Sequence, residues 1–122
     1  MTRRTILLVD DTKTIRAMER ALLGPGFDYY EADDGAQALQ LVAQQRPDLI
    51  LMDIQMPVLD GVATLSELKQ SEATRDIPVI MVTMEQDSET QERCRALGCA
   101  GFVVKPIRWQ ALVDVVRRYL PE

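Results

Sequence analysis

The sequence predicts an α/β domain, a parallel five-stranded sheet with helices on both faces. Three observations predict it. Five short apolar runs alternate with five longer segments of helical character. Two of those runs, 49–52 and 79–82, are apolar without a break, as expected of strands buried on both faces. Gly and Pro residues punctuate the alternation, so the runs read as separate elements of a strand–helix repeat, which folds as a parallel sheet.

The first strand is predicted over Thr5 to Val9, ending in Asp10-Asp11. Thr12 or Asp11 can cap the helix that follows. In it Ile15, Met18 and Leu22 recur at helical spacing, with Ala17 and Ala21 beside them, and Gly24-Pro25-Gly26 stops it. A second strand spans Phe27 to Ala32; it is less apolar and therefore placed near a sheet edge. After the Asp33-Asp34-Gly35 turn, a helix over Ala36 to Gln45 turns Ala38, Leu39 and Val42 inward, and Pro47 precedes the third strand, Leu49 to Met52. Asp60-Gly61 reads as a turn before a third helix, Val62 to Gln70, burying Leu65 and Leu68. The fourth strand runs Val79 to Val82, ending in Thr83. The fourth helix, Gln86 to Leu97, has only Cys94 and Leu97 as clear apolar anchors, which marks it as a candidate for movement. A fifth strand, Phe102 to Val104, ends in Lys105-Pro106, and a last helix carries Ile107, Ala111, Leu112, Val115, Val116 and Tyr119 on one face.

Composition narrows the function. The 122 residues form one domain with room for a real core. A net charge of −5 speaks against a general binder of nucleic acid or anionic membrane. Histidine is absent, which removes Ser-His-Asp and Cys-His catalysis and any role as a histidine phosphodonor. Cys94 and Cys99 alone cannot build a zinc site and are read as free cytosolic thiols. With no signal-peptide-like apolar segment and none of membrane-spanning length, the expected location is the cytoplasm.

Right-handed crossovers place every strand's C-terminal end along one rim of the sheet, where ligand sites of such folds lie. The residues delivered there are Asp10 and Asp11, Asp53, Thr83 and Lys105. Taken singly they are caps, turn residues, a β-branched strand end and a solvated lysine. Together they are a chemical set. Clustered carboxylates repel unless a cation sits among them, and an all-oxygen donor set with open positions suits Mg²⁺. A carboxylate beside Mg²⁺ can attack a phosphoryl group, with Lys105 and the Thr83 hydroxyl on its oxygens.

At four places the chain resembles the receiver domains of two-component response regulators, close to the stand-alone CheY type: Leu8-Val9-Asp10-Asp11, Met52 to Gly61, Val82-Thr83 and Val104-Lys105-Pro106. The resemblance spans Thr5 to Leu120 and implies the CheY-like (flavodoxin-like) strand order 2-1-3-4-5. It implies Asp53 as phosphoacceptor, with Asp10, Asp11, Asp53 and the backbone carbonyl of Gln55 holding Mg²⁺. Thr83 would be the switch hydroxyl, Phe102 the switch aromatic and Lys105 the phosphate-pairing cation, with a cis peptide at Lys105-Pro106. Gln55, Met84 and Glu85 fall where receivers vary and tune access and kinetics. Met84 is bulkier than the family's usual Ala or Gly.

The resemblance further implies a phosphoryl group received from a sensor histidine kinase or histidine phosphotransfer protein. It implies a change in the surface formed by the fourth helix, fifth strand and fifth helix, read by a downstream protein, with no enzymatic activity beyond its own phosphoryl transfer and dephosphorylation. The chain ends fit a single receiver domain, 1–122, without an output domain, and dimerisation through the last helices stays open. An aspartyl-phosphate phosphohydrolase would want Asp-x-Asp after the first strand, where this chain has Asp10-Asp11-Thr12. A flavin or nucleotide binder would want a glycine-rich loop there, and Thr12 to Arg16 contains no glycine. A receiver used only for protein contact, without phosphorylation, is the remaining alternative.

Overall fold

The computed structural model describes residues 3–84 and 87–121. Five strands, β1 (Thr5–Val9), β2 (Asp28–Ala32), β3 (Leu49–Asp53), β4 (Val79–Thr83) and β5 (Gly101–Val104), alternate with five helices, α1 (Lys13–Leu23), α2 (Gly35–Gln44), α3 (Gly61–Gln70), α4 (Ser88–Leu97) and α5 (Trp109–Tyr119). All strand pairs are parallel and the order is β2-β1-β3-β4-β5. The expected α/β fold and strand order are thus observed, with β2 at an edge.

Side chains alternate across each strand, so one strand feeds two cores. Leu7, Val9, Ile50, Met52, Val79 and Met81 pack under α2, α3 and α4. Ile6, Leu8, Leu49, Leu51, Ile80 and Val82 pack with α5 and the end of α1. Every residue of β3 and β4 is buried, which explains their unbroken apolar runs. Asp34 and Asp60 cap α2 and α3 by accepting from the amides of Gln37 at 2.9 Å and Ala63 at 2.8 Å. Gly98, at φ 95°, closes α4 in the left-handed conformation.

Two helix faces differ from the expectation. In α1 the buried residues are Arg16 and Glu19, while Ile15, Met18 and Leu22 are only half-buried and Ala17 and Ala21 are exposed. Periodicity counts apolar residues only, and here polar partners from β2 and its following loop make burial of Arg16 tolerable. In α5, Leu112, Val115 and Val116 face the core as expected, but Ala111 and Tyr119 are exposed. The Tyr119 hydroxyl instead donates to the Ala100 carbonyl at 2.8 Å. In α4, Cys94 is the one buried residue and Leu97 is half-buried, so the slight apolar anchoring is real.

Candidate functional site

Sheet register builds the site. Val9 lies level with Met52, so Asp10 and Asp53 emerge side by side from β1 and β3. Asp53 itself is the last residue of β3, level with Val82, and Thr83 comes one residue further along β4. Thr83 in turn is level with Val104, after which Lys105 leaves β5, its amide donating to the Thr83 carbonyl at 2.8 Å. Four strands therefore deliver the expected residues to one rim.

Asp10, Asp11 and Asp53 each offer a carboxylate oxygen, and the three oxygens lie within 4.8 Å of one another. Asp10 and Asp53 are buried, Asp11 is exposed, and the cluster opens to solvent through Asp11. Lys105 Nζ pairs with Asp53 Oδ1 at 3.1 Å. Burial pushes the Asp53 carboxyl above its ordinary range, and the hydrogen bond and charge of Lys105 pull it back. Asp10 is also raised, chiefly by burial, against the hydrogen bond its Oδ1 accepts from the Thr12 amide at 2.8 Å. Its Oδ2 is buried without a hydrogen-bond partner. A buried oxygen left unpaired among like charges calls for a cation, and a donor set of carboxylates suits a hard one.

Thr83 is buried, and its hydroxyl donates weakly to the Met84 carbonyl at 3.3 Å. A narrow crevice over Asp53 is lined by Thr83 and Lys105 and flanked by Gln55, Met84 and Asp87. Met84 is 49% exposed, at the mouth and not in the core. Phe102 is half-buried against the α2/α3/α4 core, with the Arg95 guanidinium of α4 5.0 Å above its ring. Glu85, expected to tune kinetics, lies outside the described residues. The Lys105–Pro106 peptide is cis.

Three residues outside the expected set also shape the rim. Gly61 sits in the expected turn, yet a Cβ there would come 2.3 Å from the Asp53 carbonyl oxygen and 2.8 Å from Ile54 Cα. Its amide donates to the Ile54 carbonyl at 2.8 Å, so α3 starts pressed against the backbone of β3 at Asp53. Glu19 is 1% exposed with Oε1 unpartnered. Burial, together with the charges of Asp10 and Asp53, raises it to about 8. Arg16 is 4% exposed and reaches the Asp10 backbone. A signal existed for Glu19, which stands four residues after Ile15 and four before Leu23, inside the apolar stripe of α1.

A doubly wound sheet with three carboxylates, a buried hydroxyl and an ion-paired lysine on its C-terminal rim defines a receiver domain. The chain belongs to that family: the model for the response regulator receiver domain matches residues 6–117. The polar-differentiation response regulator DivK of Brucella anthropi is 34% identical over 118 residues, 96% of each chain. Among solved structures, chemotaxis response regulator CheY4 of Vibrio cholerae superposes with a TM-score of 0.89 at 30% identity, covering 97% of this chain and 99% of that one. The receiver domain of NtrX from Brucella abortus gives a TM-score of 0.86 at 31% identity, over 94% and 97%. The protein is therefore a response regulator receiver domain of the two-component type. Among the described residues, no helix is long and apolar enough to cross a membrane.

Proposed function

We propose that this receiver is a phosphorylation-activated switch that takes a phosphoryl group on Asp53 and passes the change to the α4–β5–α5 surface. The observation that carries the proposal is Asp53 itself: a 4% exposed carboxylate, ion-paired to Lys105 and grouped with Asp10 and Asp11. Asp10, Asp11 and Asp53, with the Gln55 carbonyl, would hold Mg²⁺. When bound, the ion supplies positive charge to the oxygens of the transferring phosphoryl.

This chain's own residues do the rest. A carboxylate oxygen of Asp53 attacks phosphorus as the donor's P–N bond breaks, and the donor imidazole keeps the electron pair. The donor is a sensor histidine kinase or a histidine phosphotransfer protein, since the chain has no histidine of its own. Lys105 already holds one Asp53 oxygen and then pairs with a phosphoryl oxygen. The Thr83 hydroxyl has only a weak internal bond to give up before turning to another. Its movement makes room for Phe102 to turn inward, and α4, held by Cys94, shifts with it. The result is a change in population between two surfaces, read by a downstream protein in the cytoplasm. Catalysis is confined to the domain's own phosphorylation and dephosphorylation.

The test is labelling by a small acyl phosphate. The wild-type protein takes up label only with Mg²⁺, and Asp53→Asn takes up none. Label that persists on Asp53→Asn, or uptake indifferent to chelation, removes Asp53 or the ion from the mechanism.

A further inference from the structure

Arg16 is a fixed cation buried to 4% exposure on the inward face of α1. A guanidinium cannot neutralise itself by losing a proton, so its burial demands partners. They come from three places. Nε donates to Glu31 Oε1 on β2 at 2.8 Å, and Nη1 pairs with Asp33 Oδ1 in the following loop at 2.9 Å. Nη1 also donates to the backbone carbonyl of Asp10.

Two carboxylates are enough to balance the charge. The third bond adds placement, because that carbonyl belongs to the peptide joining Asp10 to Asp11, from which two of the three rim carboxylates hang. The Asp10 amide is held separately by the Ala32 carbonyl at 3.1 Å, and its Oδ1 by the Thr12 amide. Asp10 is thus gripped before and after its Cα, with Oδ2 as its free ligand atom.

We infer that Arg16 is a positioning residue of the cation site: its guanidinium fixes the Asp10–Asp11 peptide and so sets the affinity of the carboxylate cluster for Mg²⁺. The inference rests on the reading of that cluster as a Mg²⁺ site. The charge of Arg16 is taken up by Glu31 and Asp33, so its effect on the ion is geometric. It also ties the site to β2 and to the loop leading into α2. Arg16→Lys keeps the charge but cannot reach three acceptors with one planar fork, whereas Asp33→Asn removes an anchor and leaves the bond to Asp10 in place.

The experiment is a MgCl₂ titration of the full chain followed by backbone amide NMR at Asp10, Asp11 and Asp53, with thermal unfolding of each variant measured without Mg²⁺. Arg16→Lys and Arg16→Met weaken Mg²⁺ binding about tenfold, as loss of an outer partner of a ligand does, while Asp33→Asn changes it by less than about threefold. A purely structural role for Arg16 lowers the melting temperature of the Arg16 and Asp33 variants alike and moves Mg²⁺ affinity in neither. Arg16→Lys affinity within about twofold of wild type overturns the inference, and that variant decides the matter if Arg16→Met does not fold. A wild-type protein that binds no Mg²⁺ overturns the reading of the site as well.

Discussion

Replacing Glu19 with glutamine removes one buried ionisation and keeps the shape. In the fold the carboxyl ionises only near pH 8, against 4.5 for the free side chain. Between those values the folded chain holds a proton that the unfolded chain has lost. The sign follows: the stability this proton confers is fully present below 4.5 and is lost as pH rises through about 8. At ~1.36 kcal/mol per pK unit, the loss between about pH 5 and pH 8.5 is on the order of 4 kcal/mol. Most single domains have only about 5–15 kcal/mol in total, so the effect is large. Urea unfolding of wild type and Glu19→Gln across that range measures it. The two differ little at low pH, and the variant gains relative to wild type by up to about 1.4 kcal/mol per pH unit as pH rises. Asp10 and Asp53 are present in both proteins, so their titration largely cancels in the difference. A gap between the two that does not change with pH would refute the reasoning and leave Glu19 an ordinary buried polar group.

Gly61→Ala drives a Cβ into the Asp53 carbonyl and Ile54. It lowers the melting temperature and slows acyl-phosphate labelling by more than about tenfold, since a small misplacement of a reacting group is costly. Labelling at the wild-type rate would show that α3 yields instead of β3. Met84→Ala, at the mouth of the crevice, speeds labelling if the side chain obstructs the donor, and an unchanged rate retires that role. Arg95→Ala removes the guanidinium above Phe102, a contact of about 0.5–1 kcal/mol at an exposed site, and shifts the Phe102 side-chain population by roughly two- to fivefold in NMR couplings. Identical couplings in the two proteins would mean that packing alone sets the ring's orientation.

The fold was legible because strand burial is written in consecutive residues: β3 and β4 have no polar position before Asp53 and Thr83. The rim was legible for the same reason, since the residue after each run must emerge at its C-terminal end. Arg16 was not, because its acceptors lie on β2 and in the loop at Asp33, and helical periodicity along α1 carries no information about either. Gly61 was hidden by a sufficient local explanation: Asp60-Gly61 does form a capped turn, and only the packed structure reveals Asp53 behind it. Tyr119 misled because an aromatic at core spacing can equally lie along the surface with its hydroxyl bonded to a loop.

The single buried residue of α4 sets a scale for what the proposed phosphoryl switch would have to accomplish. A helix seated by one small buried side chain, Cys94, and a half-buried Leu97 has little apolar area to lose when it slides, on the order of a few kcal/mol. One charge-assisted hydrogen bond to a phosphoryl oxygen is worth about as much. On the proposed switch, the stimulus and the part it would move are comparable in energy, and the sheet beneath, with β3 and β4 sealed on both faces, would stay still while α4 travelled.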